Sequence, residues 1–158
     1  MKKKSKILSF EQIAQSDDVQ KSIEGLVNLS RPKGDINKYL NNINKLYNYD
    51  TDVLEKYLSR FIAWQNYFGE QVIIADAIRV VAESQCNYIY SRIVNSVKGS
   101  INERKEKARA NPLYKKALDI WNRSEAYYNG ISITFDNCDR GYKLTSRILT
   151  KRLGIKEW

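Results

Sequence analysis

From Asp52 to Val97 the chain contains no proline and a single glycine, Gly69. Tight turns between strands draw on those two residues for special backbone angles, so a stretch this long with almost none of either favours continuous helix. The same holds throughout, with seven glycines and two prolines in 158 residues. Within the stretch, Leu54, Leu58, Phe61, Phe68, Val72, Ala75, Ala82, Cys86, Ile89 and Ile93 recur mostly at intervals of three and four. That is the seam of a coiled-coil-like helix, interrupted at Gln65 and Arg79. Tyr57, Trp64, Ile74, Ile78 and Tyr88 widen the apolar face beyond what a two-stranded coil needs. Unbroken, the segment spans about 69 Å at 1.5 Å per residue, more than a compact domain of this size requires. It therefore calls for a partner helix or another subunit.

Asn111-Pro112 gives a second start signal, with asparagine as N-cap and proline in the first helical position. Leu113, Ala117, Ile120, Trp121, Tyr127, Tyr128, Ile131, Phe135, Cys138, Tyr142, Leu144 and Leu149 carry an apolar face to about Leu153, and Gly154 is placed to end it. Between the two helices, Lys98 to Ala110 reads as a basic loop or a solvated helical turn. The expected fold is all-α: a long antiparallel helical hairpin over 51–158 that assembles into an oligomer. Residues 1–50 read as a smaller N-terminal section with a basic tail. It holds a helical turn near Glu11–Gln15, a helix capped at Asp17-Asp18 and running to about Leu29, a break at Ser30-Arg31-Pro32-Lys33-Gly34, and a helix from Asp35 to about Tyr47.

The net charge of +9 is unevenly spread. Met1–Lys6 carries four lysines, Lys98–Lys116 seven cations against two acids, and Arg140–Trp158 six against one. Those three stretches together exceed the net charge of the whole chain, so the remainder is acidic and the molecule is polarised. A polarised basic surface suits a polyanionic partner. Hydrophobic residues at 42% exclude wholesale disorder.

Catalysis finds little support. The chain has no histidine, and its two cysteines, Cys86 and Cys138, lie too far apart for a metal-ligand pattern. No glycine-rich phosphate loop or nucleophile elbow is present. We expect a non-enzymatic protein with no cofactor, no metal site and no catalytic residues, its cysteines serving as reduced core thiols. After the lysine-rich head, Ile7-Leu8-Ser9-Phe10 is too short for the apolar core of a secretory leader, and no apolar run is long enough to span a bilayer. The expectation is a cytoplasmic protein without a membrane partner.

The basic stretches carry the candidate sites. Arg140, Lys143, Arg147 and Lys151 recur every three or four residues and so form one stripe, with Arg152 adding charge near its end. Cations in a last turn also favour the helix dipole, which accounts for Lys151 and Arg152 but not for a stripe that begins a dozen residues earlier. Such a stripe neutralises phosphates along a nucleic-acid backbone well. Arg104, Lys105, Lys107 and Arg109 form a second patch. Tyr142, Thr145, Ser146 and Thr150 interleave with the stripe and are positioned to bond phosphates or, for Tyr142, to stack on a base or pack in the core. Asp136 and Asp139 read as solvated partners of Arg140 and Lys143.

The segment Tyr57-Leu58-Ser59-Arg60 leads into Trp64 and Asn66 on a helix that ends in Tyr88 and Tyr90. A charged connector follows, then Tyr127-Tyr128, Asp136 and Cys138, and a closing run Thr145-Ser146-Arg147-Ile148-Leu149-Thr150-Lys151-Arg152. From about Tyr57 to Leu153 this order resembles the UvsY recombination mediators of T-even-like bacteriophages, which are small, basic, helical oligomers that bind single-stranded DNA. The lysine-rich cluster that the family carries on its first helix is replaced here by Gln71-Val72-Ile73-Ile74-Ala75, with Arg79 and Arg92 nearby. The resemblance implies a homo-oligomer in the host-cell cytoplasm that binds single-stranded nucleic acid and works with a recombinase and a single-strand-binding protein. The other reading is a structural or adaptor protein of a phage virion or DNA-packaging machine, using the helical seam for subunit contacts.

Overall fold

The structure, a computed structural model, describes residues 7–27 and 29–154. The lysines of the N-terminal head, Lys156 and Trp158 lie outside the described residues. Among the described residues every regular element is helical: α1 (Phe10–Ala14), α2 (Asp17–Ser22), α3 (Ile36–Leu40), a 3-10 helix (Ile43–Asn48), α4 (Thr51–Ser96), α5 (Ile101–Ala110) and α6 (Pro112–Arg152). α4 and α6 are the two long helices the apolar spacing predicts.

Local sequence sets the ends. Ser9 caps α1 through a reciprocal box, its side chain accepting from the Gln12 N–H while the Gln12 side chain accepts from the Ser9 N–H. Ser16, not Asp17 or Asp18, caps α2, and both aspartates fall in its first turn, where the helix dipole favours them. That helix stops at Ser22 rather than near Leu29, and Gly25 follows at φ +92°. The helix expected from Asp35 to Tyr47 is two pieces. Asp35 caps α3, but the Asn42 side chain donates to the Lys38 carbonyl at 2.8 Å, and the chain resumes in the tighter 3-10 form. Asn111 plays two parts. It ends α5 in the extended geometry that a following proline imposes, and its Oδ1 accepts from the Leu113 N–H at 2.9 Å to start α6. The basic connector is thus mostly a helix, opened by a Ser100–Glu103 capping box.

The chain divides into two compact units, each assembled from separated segments. The first comprises residues 1–25 and 73–129. Its core joins Ile13 and Val19 to Ile78, Ala82 and Ile120, and continues through Cys86, Ile89, Ile93, Ala108 and Ala117. Trp121 packs against both clusters. Ile78 and Ala82 meet Ile120 whereas Ile93 belongs with Ala108 and Ala117, so α4 and α6 run antiparallel here. Gln85 clamps the leading segment, accepting from the Leu8 N–H at 2.9 Å and donating to its carbonyl at 3.3 Å.

The second unit comprises residues 26–72 and 130–158. Phe61 and Trp64 pack with Ile36 and Cys138, and Leu46 and Leu54 with Ile148 and Leu149, again an antiparallel pairing. Trp64 is 1% exposed. At Gly141 the helices approach so closely that a Cβ would lie 2.6 Å from the Phe61 ring. Both cysteines are free and buried, and burial pushes the Cys138 thiol up to about 11.

Candidate nucleic-acid interface

Successive residues on an α-helix turn by 100°, which places Arg140, Lys143, Arg147 and Lys151 within an arc of about 80°. All four are exposed, and in the second unit they form one basic row along α6. Asp136, Asp139, Leu144 and the first three cations line a shallow hollow of about 520 Å³ on this face. Lys143 is partly neutralised, since its Nζ lies 2.6 Å from Asp139, whose other oxygen accepts from Gln65 at 2.9 Å. Among the described residues no ion pair engages Arg140, Arg147 or Lys151. The pairing expected of Asp136 with Arg140 does not form, while that of Asp139 with Lys143 does.

Arg152 stands apart from the row, more than a quarter-turn round the helix from Lys151. Its guanidinium donates to the Tyr49 carbonyl and, at 2.7 Å, to the Tyr47 carbonyl. It ties the end of α6 to the backbone that precedes α4, leaving fewer of its N–H groups for a ligand.

Of the interleaved polar residues, Tyr142 and Thr145 turn inward. Tyr142 packs beside Phe61 and Trp64 in the core. Thr145 is fully buried and donates to the Gly141 carbonyl at 2.7 Å, while Thr150 donates to Ser146 at 3.0 Å. These threonine hydroxyls therefore satisfy their own helix rather than reaching out to phosphates. The spacing that aligned the cations could equally have flagged this, because Tyr142, Thr145 and Leu149 fall on the opposite, core-facing side.

The patch on α5 belongs to the first unit and does not form a single row. Ala108 is buried, and Lys107 and Arg109, its neighbours, lie on opposite flanks of the helix. Arg104 is half-buried on the same side as Ala108, its Nε enclosed without a hydrogen-bond partner. Lys105, Lys107 and Arg109 are exposed, interspersed with Glu103 and Glu106. On α4, Arg79 is consumed locally: it bonds Asp76 at 2.7 Å, pairs with Glu83 at 3.7 Å and lies over the Tyr128 ring.

One basic cluster escaped the sequence reading. Ser30-Arg31-Pro32-Lys33-Gly34 was legible only as a helix break, yet Arg31 lies 5.6 Å over the Trp64 ring and Arg60 donates to the Lys33 carbonyl at 3.3 Å. No spacing rule connects a loop to a helix position about thirty residues away.

Among the described residues no group of three or more Cys, Asp or Glu side chains stands where it could hold a metal ion, and no helix is long and apolar enough to cross a membrane. Comparison with protein-family models, with characterised proteins and with solved structures finds no match to the chain.

Proposed function

We propose that this protein binds single-stranded DNA as a homo-oligomeric recombination mediator, helping to load a recombinase in the presence of single-strand-binding protein. The observation that carries the nucleic-acid part is the row on α6, where Lys143 shares one exposed face with three cations that no ion pair engages among the described residues. Its rise of roughly 1.5 Å per residue spreads those charges over about 17 Å, a length over which several phosphates of an extended strand can be met at once. The mediator part rests on the UvsY-like order of aromatic and basic residues. The chemistry asked of the protein is binding without bond-making, which suits a surface of arginines and lysines.

The test is fluorescence anisotropy of labelled single- and double-stranded oligonucleotides across salt concentrations. Tight binding with a single-strand preference is expected, and neutralising one phosphate-binding cation should lower the log–log salt slope by about 0.7. Arg147→Glu with Lys151→Glu should weaken binding strongly. Normal binding by that variant would remove α6 as the binding face, and no binding by the unaltered protein at low salt would remove the nucleic-acid reading.

A second reading, a structural or adaptor protein of a virion or packaging machine, draws on a different observation. Ile73, Val80 and Tyr88, at 46%, 46% and 60% exposure, lie on one face of α4 in the first unit, available for subunit contacts. Small soluble assemblies with free DNA favour mediation, whereas stable incorporation into particles favours the structural role.

A further inference from the structure

The break at Ser30–Gly34 leaves a hollow of about 410 Å³ against α4, lined by Ser30, Pro32, Lys33, Arg60, Ala63 and Asn66 among others. Its geometry is held from several sides. Arg31 stacks over the buried Trp64 ring, Arg60 donates to the Lys33 carbonyl, and the Leu29 N–H donates to Glu70 at 2.8 Å. These contacts fix a loop whose one positive-φ residue, Gly34 at +96°, has nothing within 4 Å of where a Cβ would stand.

The lining sorts into two chemistries. Lys33 and Arg60 are exposed cations, and among the described residues neither is engaged in an ion pair. One hydrogen bond to a carbonyl uses one of the five guanidinium N–H groups of Arg60, and the rest remain able to donate. The Ser30 hydroxyl and the Asn66 amide add uncharged donors. Pro32 and Ala63 supply apolar surface beside them. A bare inorganic anion would use only the first set, and an apolar ligand only the second. A phosphodiester with its attached sugar or base uses both.

We infer that this hollow holds one nucleotide of a bound single strand, its phosphate on Lys33 and Arg60 and its sugar or base against Pro32 and Ala63. The inference rests on the single-strand reading above and adds to it a second binding site in the same unit, on α4 and the preceding loop rather than on α6.

The test measures salt-dependent anisotropy of a labelled oligothymidylate with the unaltered full-length protein, with a Lys33→Gln/Arg60→Gln variant and with Lys45→Gln, an exposed lysine of the same unit outside the hollow. Circular dichroism and the thermal midpoint check that each variant folds. Neutralising two phosphate-binding cations should lower the salt slope by about 1.4 in the double variant and leave Lys45→Gln near the unaltered value. Amide resonances of Leu29, Lys33 and Gly34 should shift when the oligonucleotide is added to the unaltered protein, a readout that stands even where the double variant fails to fold. Unchanged slope in a folded double variant, or unshifted loop amides with a strand bound, overturns the hollow while the α6 reading survives. Failure of the unaltered protein to bind the strand overturns both.

Discussion

Two glycines of α6 make opposite predictions from the same substitution. Alanine in a helix interior ordinarily stabilises relative to glycine by about 0.5–1 kcal/mol, because the unfolded chain has less freedom to lose. At Gly130 nothing lies within 4 Å of the added Cβ, so Gly130→Ala should raise stability by about that amount. At Gly141 the Cβ would meet three carbons of the Phe61 ring, each closer than 3.0 Å, and Phe61 is wholly buried and cannot swing away. Overpacking of this kind costs about 1–3 kcal/mol, so Gly141→Ala should lower stability despite the better helix propensity. Urea titration of both variants checks the pair of signs. The cysteines give a pH dependence. Burial raises the thiols of Cys86 and Cys138, the latter from 9 to about 11. A thiol that ionises less readily folded than unfolded contributes stability fully present below about pH 9, and that contribution is lost as pH climbs towards 11. The denaturation midpoint should therefore fall over that interval, and fall less steeply in Cys138→Ala. Little of this was visible in the bare chain. Free cysteines are usually buried, which made their placement legible, but the approach of Gly141 to Phe61 depends on the register between two helices, and register is set by packing.

Among the elements, the long helices were the most readable and the short ones the least. Intervals of three and four over more than forty residues leave no alternative period for α4, and Asn111-Pro112 marks the start of α6 by chemistry that acts within one turn. For α2 and α3 the apolar positions continued past the true ends. Gly25 took a left-handed conformation, and Asn42 bonded back to the Lys38 carbonyl; either choice competes locally with helix at little cost. The connector is instructive in the other direction. Its charge density read as loop or solvated turn, but Ser100 and Glu103 close a capping box and Ala108 gives α5 a buried edge. Hydrogen bonding to the Ser100 backbone and hydroxyl holds the Glu103 carboxyl below its ordinary value of 4.5. A carboxylate favoured in the folded form contributes above its unfolded pKa and ceases to as pH falls through its folded one. The first turn of α5 should loosen on acidification below about pH 4.5, before the core does, and the amide of Ser100 should there lose protection relative to its intrinsic exchange rate in the parent protein. Glu103→Gln, which can still accept that bond, should lose the pH dependence. Of the candidate site, the α6 row followed from periodicity alone, whereas the withdrawal of Arg152 and the scattering of the α5 cations needed the neighbouring backbone to be seen.

For the whole molecule, the all-helical character and the α4–α6 pairing were legible, because a long two-sided apolar face has few ways to leave water. How the first fifty residues share themselves between two cores was not: Ile13 and Val19 serve one, Ile36 and Leu46 the other, and the division at Gly25 carries no compositional mark. The exposed face of Ile73, Val80 and Tyr88 bears on assembly. Sedimentation at micromolar concentration should show an oligomer, and Val80→Glu should shift it towards monomer without loss of helical circular dichroism; a compact monomer in the parent protein would leave that face without a role. The interleaved make-up of the two units also constrains the order of events at synthesis. Neither core is local: Leu46 waits for Ile148, and Val19 for Ile120. At about 5–20 residues per second, the hundred or so residues that separate each pair take roughly 5–20 s to emerge. Through that interval each core lacks the side that α6 supplies, so neither unit can be finished until α6 is being made. A stalled nascent chain ending near residue 110 should be cut readily by protease at sites that the chain carrying α6 protects.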